Sequence, residues 1–372
     1  MSTEIIEVSQ KRELKEFIHA PTKLHRGHEG WATPLYSDEW KFFSRRKNKN
    51  FNHSDTVMVL AKKRGRIVGR CMGIINKRFL EISGEKTARF GYLESTDDIE
   101  VTKALVTHVE KWAKSRNMNK IVGPMGFTDQ DPEGFLIEGF GNEPTLATYY
   151  NYEFIPEHIE KLGYGKEVDY VVYKIPVTNE YPPIYKKVLE RLSKKNEFKL
   201  VEFDSTSQIK PYIVPVLSLV NDVFSHLYGY VPLAMEEMED LAKQYLPALN
   251  PKFLKVVEKD SKLVGFILGI PNMDEGFRKA RGRLLPFGFY HILSASKRSR
   301  QLDLLLGGID REYRDRGIDV LLGSSLMKSA HDSGIKFMDS HLELESNTLV
   351  QAEMKRFGGQ VYKKYRIFQK KI

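Results

Sequence analysis

The sequence predicts an α/β chain built twice on one plan, and three observations carry that reading. Residues 59–76, VLAKKRGRIVGRCMGIIN, align with residues 256–272, VVEKDSKLVGFILGIPN. Val68-Gly69 and Val264-Gly265, Gly73-Ile74 and Gly269-Ile270, and Asn76 and Asn272 all lie 196 positions apart. A second match follows at nearly the same offset: HIEKLGY and EMKRFGG place Gly163 and Gly358 195 positions apart, each before a Tyr-rich segment, DYVVYKI or YKKYRIF. Between these anchors each half carries a strand pattern, a helix pattern and another strand pattern. Two matches in the same order point to duplication.

Each matched element has a local cause. The first pair reads as a β-hairpin, an apolar run, a polar turn and a second run whose glycines admit a close neighbour. The second pair reads as a helix closed by a C-terminal glycine and followed by a strand. The intervening elements are expected near 87–94, 99–116 and 120–123 in the first half, and near 302–309, 315–333 and 336–345 in the second. Residues 177–197, VTNEYPPIYKKVLERLSKKNE, read as a proline-marked joint and a linking helix. The expected division is therefore 1–176, a linker helix at 177–197, and 198–372. Two segments exceed the shared plan, 124–150 and 273–301. The first runs far past usual loop length, which suits either a pocket wall or a cover over the seam between halves.

A chain of 372 residues suffices for two domains, and 41% hydrophobic with 29% charged residues is enough to bury a core. The net charge of +9 suits CoA, nucleotides or anionic head groups. The cations are spread along the chain without a zinc finger or RNP pattern, so nucleic acid ranks last among partners. The single cysteine, Cys71, excludes an internal disulfide framework and fits a reducing compartment. The N-terminal stretch MSTEIIEVSQKREL is polar and acidic, unlike a signal peptide. No apolar run approaches the roughly 18–20 residues of a membrane span. The expected location is cytoplasmic, with peripheral contact at the inner face of the membrane left open.

The most informative local pattern is LLLGGIDREYRDRGIDVLLGSSLMKSA, residues 304–330. Leu304 to Ile309 read as a buried strand, and Val320 to Ala330 carry helical spacing. Arg311, Arg314, Arg316 and Gly317 fall where a helix presents its free N–H groups, a ready anion site. An ordinary strand–turn–helix joint with solvated charges gives the same pattern.

The order helix, hairpin, strand, basic glycine loop, helix, strand, helix, strand resembles the GNAT family of acyl-CoA-dependent N-acyltransferases. The form EYRDRGID resembles a subgroup of tandem bacterial GNAT proteins. The resemblance implies two tandem GNAT-like domains, each a mixed, mostly antiparallel sheet flanked by helices, with acetyl-CoA or a longer acyl-CoA as co-substrate and no metal. Family members hold the CoA pyrophosphate on an Arg/Gln-x-x-Gly-x-Gly/Ala loop, and Arg314, Gly317 and Asp319 fill those places. The implied cradle runs from Ile309 through Arg311, Tyr313, Arg314, Asp315, Arg316, Gly317 and Ile318. Asp319 departs from the pattern and repels phosphate unless it points away. In the first half, YLESTDDIEVTKAL puts Glu94, Asp97, Asp98 and Glu100 where the basic loop belongs, which suits a capped helix and not an anion. The second half is therefore the expected catalytic one, and the first shapes its pocket.

In the same resemblance an Asn opens the helix after the fifth strand and a Gly closes it eleven positions on, as Asn347 and Gly358 do. The family's general-acid Tyr falls seven residues after that Asn, where this chain has Met354. The role passes to Tyr362, Tyr365 or water. An oxyanion donor is implied near Gly308 and Ile309. Amine acylation also needs a base. In a continuous strand His341, Glu343 and Glu345 share one face, and of these Glu345, beside Asn347, is the first choice, with Asp303 second. A solvated strand face capped by Asn347 is the competing reading. No His, Asp or Glu spacing suggests a metal site.

The insertion FRKARGRLLPFGFYHILSASKRSR, 277–300, sets an apolar core between basic clusters. It suits an anionic membrane surface or an acyl-chain channel, and equally a helix packed on the sheet. The implied activity is acyl transfer from CoA to a small-molecule or lipid primary amine. Bacterial ceramide synthases occur within GNAT-like proteins, so long-chain transfer to a sphingoid-type amine is one implied option. A non-catalytic GNAT-like binding protein is the reading from another class.

Overall fold

The structure, a computed structural model, describes residues 2–225, 227–246 and 249–372. The first half supplies strands β1 (Glu4–Glu7), β2 (Ser54–Lys63), β3 (Arg66–Asn76), β4 (Thr87–Ser95), β5 (Lys120–Gly123), β6 (Phe135–Glu138) and β7 (Gly165–Pro176). The second supplies β8 (Lys199–Val201), β9 (Leu254–Lys259), β10 (Lys262–Pro271), β11 (Gln301–Ile309), β12 (Phe337–Asp339), β13 (Glu343–Leu344) and β14 (Gln360–Lys371). All fourteen join one sheet in the order β1-β2-β3-β4-β5-β14-β7-β12-β11-β10-β9-β8, with β6 on β14 and β13 on β7. The sheet is mixed and mostly antiparallel; β4 with β5 and β11 with β12 run parallel.

The repeat has a packing cause. A Cβ on Gly69 would lie 2.7 Å from Leu105 of the helix Ile99–Lys114, and one on Gly265 would lie 2.9 Å from Ile318 of the helix Ile318–Asp332. Each hairpin thus keeps a glycine where the central helix of its half presses onto the sheet. Around these contacts sit Val101, Leu105 and Val109 in the first half and Val257, Val264 and Leu322 in the second.

The terminal strands are exchanged. β5 lies beside β14, and β12 lies beside β7. The linker helix, Pro183–Lys195, separates the halves along the chain, but the sheet does not divide there.

Three local expectations are corrected. The second central helix begins at Ile318 instead of 315, because Asp315 (φ +60°) and Gly317 (φ +91°) are left-handed. The strand expected over 336–345 breaks into β12 and β13 because His341 has φ +61°. His341, Glu343 and Glu345 therefore do not share one strand face. Segment 124–150 is no free loop, since its β6 pairs with β14.

Candidate active site

The parallel pairing of β11 with β12 runs from Gln301–Phe337 to Asp303–Asp339 and stops. Beyond it β11 continues along β10, while the chain after β12 returns to β7 through β13. Leu268 faces Leu306 and Gly269 faces Leu304, which leaves Leu305 as an extra residue on β11. Such a bulge bends a strand and sharpens its twist, and here it turns β11 away from its parallel neighbour. The first half repeats the device: β4 and β5 pair as far as Arg89–Val122, and β4 bulges between Gly91 and Glu94.

A buried polar network fills the point where β11 and β12 part. Asp339 is fully buried; its Oδ2 accepts from Tyr362 Oη (2.6 Å), Thr145 Oγ1 (2.7 Å) and Lys363 Nζ (3.0 Å), and its Oδ1 from the His341 N–H (2.7 Å). Lys363 also donates to Glu143 O and Thr145 Oγ1. Asp303, equally buried, accepts from Gln301 Nε2 at 2.6 Å, the Leu146 N–H at 3.0 Å and Asn272 Nδ2 at 3.2 Å. Burial, and then the charge of Asp339, raise the Asp303 carboxyl well above its ordinary value. His341 donates from Nε2 to Leu146 O at 2.9 Å, and burial keeps it neutral by lowering its pKa.

Residues 143–146 in this network come from the first half, so segment 124–150 does close over the second half. The two repeat asparagines take part: Asn76 Nδ2 donates to Phe127 O, and Asn272 Nδ2 to Pro144 O. At the first half's own vertex stands a buried cation. Arg89 donates to Phe127 O (2.9 Å), to Gly126 O and to Gly229 O, the last from the second half. Each vertex is thus stopped by a loop that reaches it from outside its own sheet strands.

The loop after β11 has the features of an anion cradle. A single 3₁₀ turn, Arg311–Tyr313, leads through left-handed Asp315 and Gly317 into the helix Ile318–Asp332, whose start has no side-chain cap. Arg311, Arg314 and Arg316 are exposed. Arg311 reaches Ser225 Oγ at 3.3 Å and Arg316 reaches Glu197 at 3.3 Å. Tyr313 is held between Lys259, Lys262 and Arg316, Ile309 ends β11 opposite Gly265, and Ile318 is fully buried. The linker helix closes one side: a Cβ on Gly317 would meet Val188 at 2.6 Å and Arg191 Nη2 at 3.7 Å. Asp319 faces that helix too, adding to the burial and the Glu353 hydrogen bond that raise the Tyr185 phenol. The first half differs at the same point. Asp98 Oδ1 caps its central helix by accepting from the Glu100 N–H at 3.1 Å. Uncapped amides among arginines fit a diphosphate; amides already satisfied by a carboxylate do not.

The remaining candidates scatter. Tyr362 joins Asp303 at the vertex network, but burial and Asp339 raise its phenol, so it holds its proton instead of releasing it. Asn347 caps the helix Thr348–Arg356 through Val350 N. Glu345 is exposed and paired with Lys166, away from the network. Glu343 is partly buried and its carboxyl has no hydrogen bond or ion pair among the described residues; burial raises that carboxyl to about 8. Met354 packs into the apolar cluster of Val171, Leu326 and Phe357. Sequence reasoning missed Asp339, Lys363, Thr145 and Arg191. Asn272 was visible only as a repeat position. Among the described residues no group of three or more His, Cys, Asp or Glu could hold a metal ion, and no helix is long and apolar enough to cross a membrane.

Two halves of one plan within a single sheet, each with parallel strands parting beside a central helix, define a tandem GNAT-like fold. The tandem GNAT protein from the clavulanic acid biosynthesis pathway superposes with a TM-score of 0.57 at 14% identity, over 100% of this chain and 98% of that one. Protein YghO of Escherichia coli (strain K12) is 30% identical over 372 residues, 97% of this chain and 94% of its own length. The chain belongs to the family of Protein YghO. A protein named Bacterial ceramide synthase, from Caulobacter vibrioides (strain NA1000 / CB15N), is 26% identical over 377 residues, covering 99% of this chain and 97% of that one. No family model matches the sequence.

Proposed function

We propose that this chain is an acyl-CoA-dependent N-acyltransferase that binds its donor in the second half and transfers the acyl group to a primary amine. The observation that supports this most directly is the uncapped start of the helix Ile318–Asp332. It opens beside Arg311, Arg314 and Arg316 after the end of β11, beyond the point where β11 leaves β12. The N–H groups from Arg314 to Ile318 would hold the diphosphate, with Arg314 and Arg191 adding charge and Gly317 admitting the close approach. The thioester supplies the activated acyl carbon; the amine nitrogen would bond to it as the C–S bond breaks, and CoA would leave as its thiolate and take a proton from water.

The chain's own residues supply position and proton transfer. Asp303 and Asp339 fix the vertex, so β11 presents the Gly308 and Ile309 backbone along one wall. Glu343 is the favoured base, because a carboxyl raised to about 8 is a stronger base than an ordinary carboxylate and takes a proton from an ammonium group in its ionised form. Glu345, already neutralised by Lys166, is less suited. The phenol of Tyr362 stays protonated and positions Asp339.

A second reading, long-chain transfer to a sphingoid-type amine, is favoured by the likeness to the protein named Bacterial ceramide synthase. Titration with acetyl-CoA and palmitoyl-CoA, followed by turnover with simple and sphingoid amines, separates these readings. Saturable binding that falls about tenfold in Arg314→Ala is expected, the scale of one lost charge-assisted hydrogen bond. Unchanged affinity in that variant removes the donor site from this loop. Binding without turnover on any amine makes the chain a non-catalytic binding protein.

A further inference from the structure

The helical hairpin inserted between β10 and β11 presents a surface that acyl transfer does not require. It consists of the helices Asp274–Ala280 and Gly288–Arg298 joined by 281–287. The first half braces it. Tyr36 N–H donates to Gly282 O at 2.9 Å, and Arg278 reaches Gly30 O and Glu143 of the first half. A Cβ on Gly276 would lie 2.5 Å from the Ile292 Cα, so the two helices touch backbone to backbone.

On this fixed support the outward residues are apolar. Leu284, Leu285, Phe287, Phe289, Tyr290 and Leu293 are between 39% and 76% exposed. They account for six of the eleven exposed large hydrophobic side chains among the described residues, all within ten positions. Isolated exposed leucines need no explanation, but a contiguous set on a braced element does.

The rim is basic. Residues 281–300 contain Arg281, Arg283, Lys297, Arg298 and Arg300 and no Asp or Glu. These five are exposed, and none forms an ion pair with a carboxylate among the described residues. Lys15 and Lys23 of the helix Lys11–Leu24 continue the rim, since they act with Arg283 on His19. A shallow cleft of about 470 Å³ lies between the two chemistries, lined by Lys279, Arg281, Arg283, Leu285, Phe287 and His291.

We propose that this hairpin docks the protein on an anionic lipid bilayer, with Leu285, Phe287 and Tyr290 entering the interface and the arginines meeting lipid phosphates. Charge complementarity selects that occupant. A polyanion in solution would use the arginines but leave the aromatic residues in water, and a second copy of the chain would set one basic rim against another.

Co-sedimentation of the full chain with phosphatidylcholine vesicles, with and without one-third phosphatidylglycerol, tests this. Binding is expected to the anionic vesicles, to fall about tenfold in Leu285→Asp/Phe287→Asp and in Arg281→Glu/Arg283→Glu, and to weaken with added salt. All four positions are exposed, and an unchanged thermal midpoint for each variant confirms that the fold is intact. Equal binding to neutral vesicles, binding that survives both double variants, or loss of binding in free phosphate well beyond that in sodium chloride of the same ionic strength overturns the proposal. So does a dimer that dissociates in Leu285→Asp/Phe287→Asp, which would make a second copy the occupant.

Discussion

Asp303 and Asp339 stand opposite each other on β11 and β12, both fully buried, and among the described residues an ammonium group reaches only Asp339. Lys363 and Asp339 thus form a buried pair at 3.0 Å, while Asp303 beside them is pushed toward its neutral form. Removing one member of a buried pair leaves the other uncompensated, at about 3–5 kcal/mol. Asp339→Asn is expected to lose that much in urea denaturation. Lys363→Met should lose less, because Tyr362, Thr145 and the His341 N–H still donate to the carboxylate. The double variant should lose less than the two single losses together. An Asp339→Asn protein as stable as the parent would show that Lys363 is not charged there.

Gly317 is placed by two demands at once, a φ of +91° and the side chain of Val188. Gly317→Ala should destabilise the protein by about 1–2 kcal/mol from the left-handed backbone alone, plus the contact with Val188. Val188→Ala in the same chain should recover the contact but not the backbone cost. Acyl-CoA affinity should fall at least as far as in Arg314→Ala, measured by calorimetric titration. A Gly317→Ala protein of full affinity would move the donor site elsewhere.

What the sequence showed and what it hid follow from locality. The glycines at 69 and 265 are legible because a hairpin and its packing helix repeat their pattern within each half. The basic loop from Arg311 to Gly317, the proposed donor site, is legible because its arginines and its glycine lie in one short stretch. Lys363 is not. It lies in YKKYRIF on the same strand face as Tyr365 and Ile367, both fully buried, but a lysine reads as solvated until the carboxylate that receives it is known. Its partner Asp339 sits on another strand, joined to it only through the exchanged β7. Arg191 reads as a linker charge until the helix folds onto Gly317. The alternation inferred over 341–345 fails for a single reason, the left-handed backbone at His341.

Glu343 gives a pH signature with a definite sign. Its carboxyl rises from 4.5 to about 8 in the folded protein, so the folded state binds more protons than the unfolded one between those values. Its contribution to stability is therefore lost as pH rises through that window and is constant above it. Glu343→Gln should gain stability relative to the parent as pH increases from 4.5 to about 8, with no further gain beyond, by urea midpoints across the range. If Glu343 is also the base, kcat/KM of the parent should climb through the same upper limit, and the variant should lose that limb. A stability difference independent of pH would show an ordinary carboxyl.

Strand exchange makes the halves interdependent. β7, from the first half, pairs with β12, β13 and β14, all from the second. β14, from the second half, pairs with β5, β6 and β7, all from the first. Cutting the chain at the linker helix therefore strips each fragment's terminal strand of every partner and leaves long apolar edges, a known route to aggregation. Fragments 1–176 and 198–372 are expected to be insoluble or unfolded when produced separately, and to co-purify as one folded complex when produced together. The intact chain should unfold in a single transition by circular dichroism. A sharp, independent thermal transition in either fragment would show that β7 or β14 is dispensable and that the two halves fold as separate domains.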